Sequence, residues 1–191
     1  DSDDDHAFFL SVLFPHNQMQ ILDYNRLVKD LNGFETEESF IEALKPHFNI
    51  TPVADCTAAR PKKELDFAVF MAQTGWLALT PTSKLLDAHD ANDPVGSLDV
   101  SVLSNLVLDP LLGIKDQRTD KRIDFVGGIR GLEALEARVV SGEHKLAIAL
   151  YPTSIESLMT IADANEVMPP KSTWFEPKLK SGLIVHKFSK L

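Results

Sequence analysis

Three polar segments, far apart in the chain, carry residue types that bind anions or transfer protons. Residues 15–18 and, after a short apolar run, residues 23–26 form the first. The imidazole of His16 titrates near neutral pH and suits a general acid or base, while the guanidinium of Arg26 can hold a phosphate or carboxylate through two hydrogen bonds. Further candidate ligand contacts in this segment are Asn17, Gln18 and Asn25. The alternative interpretation is a polar turn and a helix cap, with Arg26 in a structural ion pair.

The second segment, residues 126–131, runs from a strand-like stretch through two glycines into a helix-like pattern. Without a Cβ, Gly127 and Gly128 can bring backbone amides close to an anion, and Arg130 adds a positive charge. The spacing matches neither the dinucleotide fingerprint nor the Walker motif. A tight strand-to-helix turn also favours glycine without any ligand, so both interpretations stay open.

The third segment, residues 168–178, combines prolines, lysines, hydroxyls, aromatics and a carboxylate. A stiff, ordered loop of this kind suits a binding site, because groups that are already fixed lose little entropy when a ligand binds. Its candidate ligand contacts are Lys171, Ser172, Thr173 and Lys178, and Glu176 is the candidate acid or base. The alternative is a loop that closes the domain, with Trp174 and Phe175 as plugs.

Metal and cofactor chemistry receives little support from the sequence. The histidines show neither HxH nor HxxxH spacing, so we predict no metal site. Cys56 is the only cysteine, which excludes an internal disulfide, and its type favours a small buried hydrophobe over a nucleophile. No motif indicates a particular cofactor.

Charge and hydropathy narrow the range of partners. The formal net charge is −9, and no stripe of Lys and Arg is present. This balance argues against nucleic acid and against an anionic membrane surface as partners. No apolar run approaches the ~20 residues that span a bilayer, and no secretory pattern is present, so we expect a cytoplasmic location. Residues 1–6 have the character of a linker or a cut end, which favours a piece of a longer protein.

Hydrophobic periodicity predicts an α+β domain over residues 7–191, with helices packed on a mixed or antiparallel sheet. Residues 66–80 should form a hairpin, because apolar positions alternate there and Gly75 supplies the turn. Residues 81–96 are the one linker-like, flexible stretch. The other predicted elements are strands at 7–14, 19–24, 49–54, 122–126, 145–151 and 183–188, and helices beginning near Thr36, Ser97, Gly128 and Thr153.

Residues 14–26, 122–128 and 168–186 resemble, in this order, segments of an uncharacterised prokaryotic family. Its members carry a numbered domain of unknown function (ten-fifteen) and are sometimes called phosphoserine-phosphatase-associated proteins. The resemblance implies that this chain is the carboxy-terminal half of a longer protein, with the amino-terminal half as a partner. The family's first half is similar to ParB-like free-serine kinases, which implies phosphoserine or nucleotide chemistry by analogy.

We therefore expect one half of an enzyme that acts on a small phosphorylated or carboxylate-bearing metabolite. Two alternatives remain: a ligand-sensing module without chemistry, and a structural or dimerisation domain anchored by Trp174 and Phe175. If the chain is part of an enzyme or a ligand-sensing module, Arg26, Arg130 and Lys171 should converge on one cleft. The sequence does not decide whether the chain forms a homodimer.

Overall fold

The computed structural model describes residues 7–178 and 180–187, with only the backbone of His16. The predicted linker at residues 1–6 and the end of the predicted strand at residue 188 lie outside this range. Eight strands occur in the described part: β1 (Gln20–Leu22), β2 (Tyr24–Val28), β3 (Phe48–Pro52), β4 (Phe67–Met71), β5 (Gly75–Pro81), β6 (Ile123–Gly127), β7 (Leu146–Leu150) and β8 (Trp174–Glu176). Six α-helices accompany them there: α1 (Glu37–Leu44), α2 (Cys56–Ala59), α3 (Ser83–Ala88), α4 (Asp99–Leu103), α5 (Glu133–Val140) and α6 (Ile155–Asp163).

Six of these strands form one sheet in the order β3-β5-β4-β7-β2-β6, while β1 and β8 form a separate two-stranded sheet. Every neighbouring pair in the larger sheet is antiparallel. The predicted α+β class is confirmed. The predicted hairpin is confirmed as well, since β4 pairs with β5 from Phe67 opposite Leu79 to Met71 opposite Gly75.

Both faces of the larger sheet are buried. On one face, Phe67, Val69 and Ile148 belong to the larger hydrophobic cluster, which also contains residues of α1, α3 and α4. On the other face, small side chains such as Ala68 and Ala147 join residues of α5 in a second cluster. Because side chains alternate between faces along a strand, these central strands carry nearly continuous apolar runs.

Local chemistry explains where the helices begin. Thr36 caps α1 through a capping box with Ser39, as the threonine at this position predicts. The cap of α6 is Ser154, which accepts a hydrogen bond from the Ser157 amide, and not Thr153 as predicted. Thr153 instead donates its hydroxyl to the carbonyl oxygen of Ser172 at 3.1 Å. Helix α4 continues directly into a π-helical turn, Ser104–Leu108.

Two predicted strands are wrong. Residues 8–15 have no regular secondary structure, with Phe9 85% and Leu13 92% exposed. Residues 183–187 also form no strand, and Leu183 is 76% exposed. An apolar run becomes a buried strand only if a neighbouring strand pairs with it and another layer covers it, and periodicity alone does not guarantee either.

The chain divides into two compact units. Ile21–Trp174, named here the globular unit, contains the six-stranded sheet, while Asp1–Gln20 and Phe175–Leu191 form the terminal unit. Residues 81–96, predicted as a linker, contain the helix α3 within the globular unit. None of the described helices has the length and hydropathy that crossing a bilayer requires.

Candidate functional site

Arg26 lies at the centre of the candidate site and is completely buried. On β2 its backbone faces Phe125 of β6 on one side and Ile148 of β7 on the other. Its Nε donates to Oε1 of Gln117 at 3.1 Å, and Nη2 donates to the Lys171 carbonyl oxygen at 2.9 Å. Nη1 donates to the carbonyl oxygen of Tyr24. The guanidinium is thus hydrogen-bonded within the protein, where it holds the Lys171 peptide against the sheet.

Lys171 brings a second positive charge to the same place. Its side chain is exposed, and its backbone has a φ of 61°, the left-handed region that side chains other than glycine rarely adopt. The Lys171 ammonium lies 5.6 Å from the ring centroid of Phe125, and Cζ of Arg26 lies 5.0 Å from the same centroid. Both cations also lie 5.8 Å from the ring centroid of Tyr24. Two cations therefore share one pair of aromatic rings, named here the cationic cluster (Tyr24, Arg26, Phe125, Lys171).

None of the ion pairs between described residues includes Arg26 or Lys171. The positive charge of the cationic cluster is therefore not balanced by an acid in these pairs. Burial lowers the pKa of Arg26 to about 9, and the nearby Tyr24 opposes the shift. At neutral pH the guanidinium therefore keeps its charge. Aromatic faces stabilise cations by about 0.5–2 kcal/mol, which offsets only part of the cost of burying them.

Ser172 and Asn25 stabilise the surroundings of the cluster. The Ser172 hydroxyl donates to the Pro169 carbonyl oxygen at 2.5 Å. The backbone carbonyl oxygen of Ser172 accepts a hydrogen bond from the Thr153 hydroxyl. Asn25 donates to the Asp23 carboxylate and accepts from the amide of Leu150 at 3.0 Å. Both side chains are buried, and the bonds described here occupy them within the protein.

Gly127 and Gly128 have a packing role in the structure. A Cβ on Gly127 would lie 2.4 Å from Cδ2 of Trp174, and one on Gly128 would lie 2.1 Å from Oδ1 of Asp23. The Gly128 amide donates to the Asp23 carbonyl oxygen at 2.7 Å. Close contact with an indole and a carboxylate requires glycine at both positions without any ligand. Their predicted anion binding stays a prediction.

The other predicted residues take no part in the contacts described above. Arg130 is exposed in the 3-10 turn Gly128–Arg130, and Thr173 is half-buried. The cationic cluster thus brings together Arg26 and Lys171, and no described contact joins Arg130 to either residue. The terminal unit contains the remaining predictions: His16, whose side chain lies outside the described atoms; the exposed Asn17 and Gln18 of the turn His16–Gln18; the half-buried Glu176; and the exposed Lys178.

A groove borders the polar partners of Arg26. It encloses about 660 Å³, and its lining includes Gln117, Pro169 and Pro170 together with Lys115 and Arg118. Gln117 connects this groove to Arg26 through the Nε hydrogen bond. The two prolines lead directly to Lys171, so the groove provides room for a small ligand beside the residues that support the cationic cluster.

A second polar cavity in the globular unit was not predicted from the sequence. It encloses about 330 Å³ and has Asp99 and His89 in its lining. The pKa of Asp99 is raised to about 7, mainly by burial and in smaller part by the neighbouring Glu64 and Asp66, while the Leu65 amide and His89 oppose the shift. In the sequence Asp99 is an ordinary acid in the first turn of a helix, and its burial depends on residues far away in the chain.

A third cluster, Asp124, Glu143 and His144, combines two carboxylates with an imidazole. Arg138 donates to Oδ2 of Asp124 at 3.1 Å and also to the carboxylate of Glu143. The buried His144 contacts the same Asp124 oxygen at 3.0 Å, and burial is the main cause of its lowered pKa. Because both acids pair with the same guanidinium and Asp124 also contacts His144, the arrangement is that of an ion-pair network.

Comparison with known proteins identifies a family. The family model described as "Protein of unknown function (DUF1015)" matches residues 1–101, which is more than half of the chain. No curated protein matches.

Solved structures that match this chain include a free serine kinase variant in complex with AMP, with 12% identity, a TM-score of 0.48, and coverage of 83% of this chain and 55% of the other. A conserved hypothetical protein from Pyrococcus furiosus has 16% identity, a TM-score of 0.48, and coverage of 83% and 56%. A free serine kinase variant in complex with ADP has 13% identity, a TM-score of 0.46, and coverage of 86% and 58%. The chain thus spans little more than half the length of these proteins, and a likeness at this level assigns it no ligand or activity.

Proposed function

Since this chain belongs to the DUF1015 family of proteins of unknown function, we propose its function from its own geometry: it binds the phosphate or carboxylate group of a small metabolite at Lys171. The observation that carries this proposal is the cationic cluster. Two positive charges share one pair of rings there, and no ion pair of the described residues includes either of them. An anion would relieve the repulsion between the two cations.

The two cations have different tasks in this proposal. The donors of Arg26 bind Tyr24, Gln117 and Lys171, so its guanidinium acts as a fixed charge that raises the local potential. The exposed ammonium of Lys171 is the group that contacts the ligand. A side chain whose backbone is already held loses less entropy on binding than a free surface lysine.

We extend the proposal to the whole protein as one half of an enzyme whose chemistry depends on an amino-terminal half. Phosphoserine and nucleotides are then the first ligands to test. Arg130, Gly127, Gly128, Thr173 and Lys178 would add contacts, and His16 or Glu176 would transfer protons. A sensor without chemistry is the competing function, because the described contacts of Arg26 and Lys171 include no imidazole or carboxylate.

Replacing Lys171 tests the proposal. Isothermal titration of the wild-type chain with phosphoserine, AMP and inorganic phosphate should give binding, and serine tests whether a carboxylate without a phosphate is sufficient. Lys171→Ala removes a charge-assisted hydrogen bond worth about 1.5–3 kcal/mol, so affinity should fall roughly ten- to a hundredfold. The melting temperature should barely change, because exposed lysines contribute little to stability.

Lys84→Ala is the matched control, since Lys84 is an exposed lysine on α3. It should leave both affinity and stability unchanged. If Lys171→Ala lowers the melting temperature by several degrees without weakening binding, Lys171 is a structural residue. Equal binding of every anionic ligand by wild type and Lys171→Ala would exclude the proposed site.

A further inference from the structure

We propose that the cavity containing Asp99 is a separate binding site for a small ligand that carries a protonated amine. This cavity, named here the acidic cavity, belongs entirely to the globular unit and plays no part in the anion site proposed above. Its lining includes Glu64, His89, Asp99, Thr153, Ser154 and Glu156.

The chemistry of the lining selects the class of ligand. Glu64, Asp99 and Glu156 belong to the lining of this volume of about 330 Å³, and no lysine or arginine is among its lining residues. Hydroxyl groups on the same wall can accept or donate hydrogen bonds around a polar ligand. An amine supplies a positive charge and several N–H donors, whereas a phosphate or carboxylate would meet like charge.

One of the two carboxyl oxygens of Asp99 has no hydrogen-bond partner among the described residues. Its Oδ1 accepts from the Leu65 amide at 2.8 Å, while Oδ2 is buried and has no hydrogen-bond partner among the described residues. Buried polar atoms in folded proteins nearly always have a partner, so an orphaned acceptor beside a cavity calls for an explanation. An ammonium group in the cavity supplies the missing donor once the side chain turns toward it.

A cavity next to the acidic cavity limits the charge that the rest of the ligand can carry. A cavity of about 510 Å³ shares Glu64, His89, Ser97, Tyr151 and Ser154 with the acidic cavity, and it adds Lys63 to the lining. A second positive charge on the ligand would approach this lysine. The site therefore suits one amine on a short, uncharged polar chain.

The charge of Asp99 should make the site sensitive to pH. With a pKa of about 7, this carboxyl changes from mostly protonated at pH 6 to mostly ionised at pH 8. The groups that act on it are Glu64 and Asp66, which disfavour its charge, and His89, which favours it. An alkylamine stays protonated over this interval, so its affinity should rise about tenfold between pH 6 and pH 8.

Three probes of equal length separate the possible ligands: 4-amino-1-butanol, 1,4-butanediol and 4-hydroxybutyrate. Titration of the wild-type chain, followed by calorimetry or amide chemical shifts, should show binding of the aminoalcohol at least about tenfold tighter than that of the diol. The hydroxy acid should not bind. Lack of binding by the aminoalcohol, or equal binding of aminoalcohol and diol, would overturn the proposal.

Variants link the binding to this cavity. Asp99→Asn keeps an oxygen for the Leu65 amide but removes the charge, so it should weaken aminoalcohol binding at least about tenfold and abolish its pH dependence. The control is Asp163→Asn at the end of α6, outside the acidic cavity, and it should change nothing. Glu156→Gln is a second variant at an exposed lining residue, in case Asp99→Asn does not fold. Unchanged binding in both lining variants would also overturn the proposal, whereas Lys171→Ala should leave aminoalcohol binding intact.

Discussion

Burial shifts the pKa of Arg26 and the pKa of Asp99 in opposite directions, and the two residues respond differently. The pKa of Arg26 falls to about 9, so the guanidinium stays charged at pH 7. The pKa of Asp99 rises to about 7, so its carboxyl is partly protonated there. The same desolvation thus leaves a permanent charge in the cationic cluster and a titrating one in the acidic cavity.

Hydrogen bonding reinforces this contrast. Arg26 has three protein acceptors, whereas one oxygen of Asp99 has no described partner. The segment from Pro169 to Thr173 contacts both regions, because Arg26 binds the Lys171 carbonyl and Thr153, which lines the acidic cavity, binds the Ser172 carbonyl. A buried charged group supports the fold when each of its nitrogen atoms has a partner, as in Arg26, and a group with an unpaired oxygen, as in Asp99, is free to respond to pH or a ligand.

The largest expected effect comes from replacing Arg26. Arg26→Met keeps the aliphatic volume but leaves the Tyr24 and Lys171 carbonyls and the Gln117 amide without a donor. We expect the free energy of unfolding to fall by about 3–5 kcal/mol, since each buried acceptor that loses its partner costs about 1–3 kcal/mol. Urea denaturation measures this loss.

Arg118→Met is the control for this variant, because Arg118 pairs with Asp116 in an exposed position. It should have little effect on stability. A loss below about 1 kcal/mol in Arg26→Met would mean that Arg26 is not the structural support described here, and the contrast with Asp99 would disappear.

A smaller effect is expected at Gly127, on the aromatic side of the cationic cluster. The Cβ of Gly127→Ala would overlap the Trp174 ring, which itself contacts Tyr24 at a centroid distance of 5.3 Å. Displacing the ring should cost about 1–3 kcal/mol and shift the tryptophan fluorescence. Gly142→Ala is a useful comparison, because its Cβ meets no atom within 4 Å, although its φ of 80° adds some strain. A stable Gly127→Ala protein with unchanged fluorescence would contradict the packing role.

The smallest expected effect is a pH-dependent change in the free energy of unfolding in Asp99→Asn. The folded state holds the Asp99 proton more tightly than the unfolded chain, whose aspartate pKa is about 4. Stability from this residue is therefore complete below about pH 4 and is lost as pH rises toward 7. The variant avoids that loss and should be more stable than wild type by on the order of 1–2 kcal/mol at pH 8, with a smaller difference at pH 4.5.

Thermal melts of both proteins across this range, with Asp163→Asn as control, measure the difference. A constant difference between Asp99→Asn and wild type at all pH values would mean that the Asp99 carboxyl does not titrate near neutrality. The acidic cavity would then hold a permanent charge, as the cationic cluster does.

Sequence predictions were correct where the stabilising interactions join residues close in the chain, and they failed where those interactions join distant residues. The hairpin of β4 and β5 was predicted, because alternating residues and Gly75 specify it within fifteen residues. Residues 7–14 were assigned to a buried strand, but residues 8–15 are coil with exposed side chains such as Phe9 and Leu13, since strand formation needs a partner that periodicity does not reveal. Arg26 and Lys171 were both predicted as site residues, but the contact between them joins positions 145 residues apart.

The sequence by itself determined the α+β class, the start of α1, the turn between β4 and β5, and the residue types from which an anion site could be built. These features depend on side-chain pattern and backbone preference over a few residues. Only the tertiary structure decided that Arg26 is buried with protein acceptors, that Gly127 lies against Trp174, and that Asp99 titrates near neutrality. Desolvation and hydrogen-bond partners come from distant segments packed together, so the same residue types acquire their charge state only in the folded chain.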